Sequence, residues 1–246
     1  MRISRIFTTA ELRAETVIEL NDGIAKYVRD VLRLTVGHSI IVFNGDGNDY
    51  PGELIDVQKK TVRVQLQQVQ TSDTESALQL HLLQPLCAGD KFDLCLQKAT
   101  ELGVTQITPF ISSRVNVNLP ANRLEKKMAH WQGVIQSACE QSGRAKLPQL
   151  NQPIPFQQAL LNCPTDNLKL IASPTANRAH SPTQPVPSIS CLIGPEGGFS
   201  PDEVTLAEQH GFQSIKMGPR ILRLETAVIS LLSLLQAQHG DLNRCI

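Results

Sequence analysis

Residues 189–203 read Ile-Ser-Cys-Leu-Ile-Gly-Pro-Glu-Gly-Gly-Phe-Ser-Pro-Asp-Glu, and no single secondary structure accommodates them. The apolar residues Ile189, Cys191, Leu192 and Ile193 suit a short buried strand. Gly194-Pro195 and Gly197-Gly198 then turn the chain. Ser200, Pro201 and Glu203 follow in the order of a helix N-cap, a first helical residue and a capping-box partner. The segment therefore crosses from strand to helix, as an α/β layer requires. Capping accounts for Ser200, Pro201 and Glu203 without any ligand. It leaves the paired glycines and the carboxylate of Glu196 at the strand's C-terminal edge unexplained. A turn of this kind exposes backbone N–H groups to a polar or anionic group that must come close to the chain.

A second crossing of the same type follows. Met217-Gly-Pro-Arg-Ile-Leu-Arg-Leu-Glu-Thr-Ala227 joins an expected strand over 212–217 to an expected helix over 226–239. Two glycine-bearing turns at one sheet edge make a binding cleft, to which Arg220, Arg223 and Glu225 add charge.

Size and composition bound the rest. At 246 residues the chain suits one large domain or, preferably, two. Hydrophobic residues make up 41% and aromatics only 4%, so the core is expected to be aliphatic. The net charge of zero provides no global basic field for nucleic acid, although Lys and Arg outnumber Glu over 98–146. The six cysteines show neither a C-x-x-C pair nor a His pair at ligand spacing. They read as reduced core residues, with no metal site. The N-terminus lacks the apolar core of a signal peptide, and the apolar run 227–237 is too short to span a bilayer. The expectation is a soluble cytoplasmic protein with no membrane anchor.

Along the chain, residues 1–70 are dominated by short strands, with a helix expected over 22–34 that places Ile24, Tyr27, Val28 and Val31 on one face. Residues 39–44 and 49–57 flank the turn Gly45-Asp-Gly47 as a hairpin. Val62, Val64 and Leu66 alternate along the next strand. Many short strands with one helix suggest a small β-barrel. Residues 71–77 lie in a polar linker. Strand and helix alternate over 78–246, which predicts a mostly parallel sheet. Helices are expected over 90–102, ended by Gly103, and over 120–142, ended by Gly143, with a short one near Gln157 and a strand over 168–172. The proline-rich loop 173–188 is expected to be irregular. The last helix is apolar nearly all round, so it requires cover on several sides, from within the fold or from a second copy.

A Rossmann fingerprint, a P-loop and a G-x-S-x-G elbow are all missing from the expected positions. What remains is a pocket of backbone donors surrounded by Glu196, Arg220, Arg223 and Glu225, suited to a small nucleotide-like molecule.

Leu192-Ile-Gly-Pro-Glu-Gly-Gly-Phe199 and Gly218-Pro-Arg-Ile-Leu-Arg-Leu-Glu-Thr-Ala227 resemble the two signature segments of the bacterial 16S rRNA (uracil-N3)-methyltransferases, members of the SPOUT superfamily. Gln97-Lys-Ala-Thr-Glu-Leu-Gly-Val104, Ile107-Thr-Pro109, Ser112-Ser-Arg114 and Ala138-Cys-Glu-Gln-Ser-Gly-Arg144 are similar to other motifs of that family. Residues 1–70, with Val31-Leu-Arg33, look like its PUA-like RNA-binding barrel. The resemblance implies a trefoil-knotted α/β domain over 78–246, an obligate homodimer, and S-adenosylmethionine bent within the knot. It assigns cofactor contacts to Ala172, Ile193, Gly194, Pro195, Glu196, Gly197, Gly198, Met217, Gly218, Ile221, Leu222, Leu224, Thr226 and Ala227. The partner it implies is 16S rRNA or the small ribosomal subunit.

The chemistry can be reasoned separately. Uracil N3 is a poor nucleophile until it loses its proton, and the resulting imidate spreads charge over O2 and O4. A fixed cation beside those oxygens stabilises both the anion and the transition state for in-line methyl transfer. Arg223 is the first candidate and Arg220 the second, while Glu196 or Glu225 orients an arginine or accepts the proton. Read without a ligand, Arg223 makes a structural ion pair with Glu225 or a helix-terminus contact. Arg2, Arg5, Arg29, Arg33, Arg114 and Arg144 are the phosphate candidates. Two other classes stay open: a non-catalytic RNA-binding ribosome-assembly factor, and a nucleotide-dependent small-molecule enzyme.

Overall fold

The computed structural model describes residues 3–114, 121–176 and 186–243. Arg2, His180, Cys245 and most of the proline-rich loop lie outside the described residues. The chain forms two compact units, Met1–Glu75 with Gln136–Leu147, and Ser76–Ile135 with Pro148–Ile246.

In the first unit, β1 (Ser4–Phe7), β2 (Val17–Asn21), β3 (Ser39–Phe43), β4 (Asn48–Val57) and β5 (Thr61–Leu66) form a sheet in the order β1-β3-β4-β5-β2, and β6 (Gln70–Thr71) pairs with β4. The β1–β3 pair is parallel, and the β3–β4, β4–β5, β5–β2 and β4–β6 pairs are antiparallel. The alternation of Val62, Val64 and Leu66 sends all three into the core with Ile6, Leu20, Ile40 and Val42. Helix α1 (Asp22–Lys26) runs on as a wider π-turn over Tyr27–Val31. That turn corrects the helix expected over 22–34. An extra residue per turn rotates later side chains off the 3.6-residue stripe, so Val28 is buried but Val31 is 64% exposed. Arg33 then ends the segment at φ +54°, the left-handed position that glycine usually fills.

The second unit is built on a seven-stranded sheet with parallel pairing throughout. Its strands are β7 (Gln79–Pro85), β8 (Gln106–Ile111), β9 (Gln149–Leu150), β10 (Ile154–Pro155), β11 (Leu168–Ala172), β12 (Ser188–Leu192) and β13 (Gln213–Ile215), in the order β10-β8-β7-β12-β11-β13 with β9 beside β8. Helices α2 (Gly89–Glu101), α3 (Ala121–Ser142), α4 (Phe156–Leu161), α5 (Pro201–Gln209) and α6 (Leu224–His239) connect or follow them. The last residues of α3 belong to the first unit. Gly103 and Gly143 end α2 and α3 at φ +75° and +89°.

Strand order positions the site. Strand β11 lies between β12 and β13, and all three run the same way, so the segments leaving their C-terminal ends emerge along one edge. Strand β12 also pairs with β7, which places the first glycine turn near the start of α2.

One expectation for α6 is corrected. The helix starts at Leu224 rather than Thr226, because Arg223 takes the extended N-cap conformation (φ −64°, ψ 156°) and Leu224 is buried as its first anchor. Within one chain, Val228, Leu231, Leu232 and Leu235 are in the core while Leu234 is 50% exposed, so the fold itself covers one face of the helix. The five described cysteines are free thiols, four of them buried. Among the described residues no helix is long and apolar enough to cross a membrane.

Candidate functional site

The two glycine turns meet. A cavity of about 370 Å³ is lined by Ala172 at the end of β11, by residues of 193–199 after β12, and by residues of 217–227 between β13 and the first turn of α6. That volume lies within the range small ligands occupy.

Each wall follows from local sequence. Gly198 N–H donates to Pro195 O at 2.8 Å, closing a turn with Glu196 and Gly197 at its centre and Gly198 at φ +68°. Among the described residues, the N–H groups of Glu196 and Gly197 have no acceptor in the fold. Beyond the turn the capping box is complete: Glu203 N–H donates to Ser200 Oγ at 3.1 Å, and Ser200 N–H to Glu203 Oε2 at 2.9 Å. On the second wall, Gly218 takes φ +84°, which a side chain would strain. Ile193, Met217, Leu222 and Leu224 make part of the lining apolar, and Glu196, Arg220, Arg223 and Glu225 bring charge to it.

Of the expected cofactor contacts, Ala172, Ile193, Gly194, Pro195, Glu196, Gly198, Met217, Gly218, Ile221, Leu222, Leu224 and Ala227 line the cavity, as do Arg220, Arg223 and Glu225. Gly197 and Thr226 do not. Gly197 lies against Arg114, and Thr226 is exposed in the first turn of α6.

Lys91, Ser173, Pro174 and Phe199 also line the cavity and were not among the expected cofactor contacts. Ser173 and Pro174 directly follow Ala172 at a strand end whose sequence matches no fixed pattern, which left their role open. Phe199 closes the first motif and packs on Phe110 and Phe156, with ring centroids 6.5 and 5.7 Å away. Lys91 carries no local signal, because it comes from α2, far away in sequence.

Lys91 Nζ donates to Glu196 Oε1. This hydrogen bond and the charge of Glu196 raise the lysine's pKa; Glu225 raises it further and Arg223 opposes. Two carboxylates and a second cation therefore act on Lys91 at this mouth. Cys87, also within the field of Glu196 and Glu225, is pushed up to about 12, mainly by burial. Its thiol stays protonated at neutral pH, which removes it as a nucleophile.

The phosphate candidates do not share one environment. The Arg5 side chain is 8% exposed: it donates to both oxygens of Asp49 at 2.7 and 2.8 Å and to Arg144 O at 3.2 Å, and its guanidinium lies 4.9 Å from the centre of the Phe43 ring. Arg144, 4% exposed, pairs with Glu75 at 2.7 Å. Both are corrected from surface contacts to internal ones, since desolvated guanidinium groups need fixed carboxylates. Arg29 is at the surface, bonded to Asp30 and to Lys59 O, and Arg33 is exposed. Arg114 donates to Gly197 O at 2.9 Å, beside the glycine turn. Among the described residues, no group of His, Cys, Asp or Glu is arranged to hold a metal ion.

Comparison with known proteins gives a consistent result. The family described as an RNA methyltransferase domain matches residues 74–236, and that of an RNA methyltransferase PUA domain matches 20–67. A curated relative from Buchnera aphidicola (Schizaphis graminum), ribosomal RNA small subunit methyltransferase E, is 33% identical over 98% of this chain and 99% of its own length. Its namesake from Rickettsia conorii is 32% identical, covering 95% of each chain. Two solved structures each cover 98% of this chain and 100% of their own. A Legionella pneumophila protein solved in complex with the bound cofactor SAM has a TM-score of 0.93 at 38% identity. Ribosomal RNA small subunit methyltransferase E from Neisseria gonorrhoeae, bound to S-adenosyl methionine, has a TM-score of 0.92 at 35% identity.

Proposed function

We propose, from the premise that this chain belongs to the ribosomal RNA small subunit methyltransferase E family, that it methylates N3 of one uridine in 16S rRNA with S-adenosylmethionine as donor. The observation that carries the reading is the meeting of both glycine turns with Arg220 and Arg223 in one cavity. The lining suits the donor: apolar side chains for adenine, the Glu196 N–H at the glycine turn, unpaired among the described residues, and both signs of charge for an amino acid's ammonium and carboxylate groups.

When bound, S-adenosylmethionine supplies an electrophilic sulfonium methyl group. The chain's own residues prepare the nucleophile. Arg223, held as N-cap of α6 on the cavity wall, faces the imidate oxygens of uridine, with Arg220 next to it. Glu196 or Glu225 accepts the N3 proton, with Lys91 holding Glu196 in place. The glycine turns leave the backbone room to orient donor and base in line.

RNA is engaged by residues 1–70 as a binding module, through Arg29 and Arg33, with Arg2 in the same role though outside the described residues; 71–77 link it to the catalytic domain over 78–246. A trefoil knot and a homodimer belong to the same reading, the dimer supported by the half-exposed Leu234 and by Ile221, 86% exposed. Mass mapping of 16S rRNA from cells lacking the protein is expected to show one uridine without its N3 methyl group. An unchanged map would defeat the reading. A non-catalytic assembly factor would show no affinity for S-adenosylmethionine in calorimetry.

A further inference from the structure

Arg114 follows β8, and its Nη1 donates to the carbonyl of Gly197 at 2.9 Å. Its stem runs along the same residue: a Cβ built on Gly197 would stand 3.6 Å from Arg114 Cβ and 3.7 Å from Cδ. The segment carrying Arg114 is tied down from behind. Glu203 Oε1 accepts from Ser112 Oγ at 2.8 Å and from Ser113 N–H at 2.9 Å, while Oε2 accepts from Ser200 N–H at 2.9 Å. Ser112 Oγ in turn accepts from Arg114 N–H at 3.3 Å.

Glu203 thus does more than close the capping box of α5, which needs only its bond to Ser200. The remaining bonds lead out of the helix, through 112–114, to the Gly197 carbonyl, whose peptide partner, the Gly198 N–H, closes the turn on Pro195 O. Burial pushes the Glu203 carboxyl up, but the N–H groups of Ser200 and Ser113 and the Ser112 hydroxyl outweigh it and leave it below the ordinary value. The carboxylate is therefore charged at neutral pH. A turn with adjacent glycines has several accessible backbone conformations, so an outside anchor decides which is kept.

We propose that Arg114 is a positioning residue for the cofactor: anchored by Glu203 through Ser112, it holds the Gly197–Gly198 peptide and so fixes the shape of the 195–198 turn, whose Pro195, Glu196 and Gly198 line the cavity. The proposal rests on the S-adenosylmethionine reading above. It replaces the phosphate contact expected for Arg114 from the sequence.

The test uses the full chain with Arg114→Ala, Arg114→Lys, Glu203→Gln and the Arg114→Ala/Glu203→Gln double variant. Calorimetry gives the Kd for S-adenosylmethionine, and steady-state kinetics on small ribosomal subunits separate the two KM values from kcat. Arg114→Ala is expected to raise the Kd and KM for S-adenosylmethionine about tenfold, the scale of one charge-assisted hydrogen bond, with kcat at saturation and the KM for RNA unchanged. Arg114→Lys recovers part of the loss, and the double variant is no weaker than the worse single one, since both cut one chain of contacts. If Glu203→Gln fails to fold, Ser112→Ala cuts the same link. A raised KM for RNA with an unchanged cofactor Kd would restore the phosphate role and overturn the proposal, as would additive losses in the double variant. Wild-type protein that binds no S-adenosylmethionine overturns the cofactor reading itself, before any variant is made.

Discussion

The ring of Phe199 stands 3.2 Å from the point where a Cβ on Gly194 would lie. Phe199 has little room to retreat, because Phe110 and Phe156 pack against it. Gly194 is therefore a glycine for lack of space, while Gly218, with nothing within 4 Å, is one for its φ of +84°. Gly194→Ala and Gly218→Ala are each expected to destabilise by about 1–3 kcal/mol and to weaken S-adenosylmethionine binding. Adding Phe199→Leu should restore stability to the first and not to the second. Denaturant melts of the two double variants check this, and equal rescue would refute the distinction.

Arg223 lines the cavity as an exposed N-cap residue, without a cap bond from its side chain. Its removal should therefore leave the fold and cofactor binding nearly intact while kcat falls by about a hundredfold or more, the usual consequence of losing a charge stabiliser. Single-turnover methylation at saturating RNA measures it. A wild-type rate in Arg223→Ala would transfer the role to Arg220.

Arg5 and Arg33 should separate stability from RNA binding. Arg5→Ala leaves Asp49 without its buried partner and is expected to cost about 3–5 kcal/mol in urea melts. Arg33→Ala should leave the melt unchanged and reduce the slope of log affinity against log salt by about 1. Filter binding at several salt concentrations reads the slope.

His81 is buried, bonded through Nε2 to Thr108 Oγ1 at 2.8 Å, and its pKa is lowered by desolvation to about 4 from 6.5. The unfolded chain then binds a proton that the folded chain refuses between those values. Stability is fully present above pH 6.5 and declines as the pH falls toward about 4, by up to about 3 kcal/mol. His81→Gln should flatten that part of the stability–pH curve. An unchanged slope would mean that another group carries it.

Much of this protein was legible because it is local. The capping box at Ser200 and Glu203, the strand before it, the alternation at Val62, Val64 and Leu66, and the glycine helix ends at 103 and 143 all follow from residues a few positions apart. Where a boundary was misplaced, burial or a change of helical turn overrode the pattern. The buried Leu224 drew the start of α6 two residues forward, and a π-turn carried Val31 out of the stripe.

By itself, the sequence determined that two strand-to-helix crossings exist, that both need glycine, and that arginines flank the second, because backbone geometry and capping depend on near neighbours. Only the tertiary structure decided that β11 runs between them, that Lys91 faces Glu196, and that Arg5 and Arg144 pair with internal carboxylates while Arg114 grips the Gly197 carbonyl. The reason is that an arginine looks the same in sequence wherever it lies. Strand order and burial choose its partner, and the cost of leaving a desolvated charge unpaired makes that choice firm.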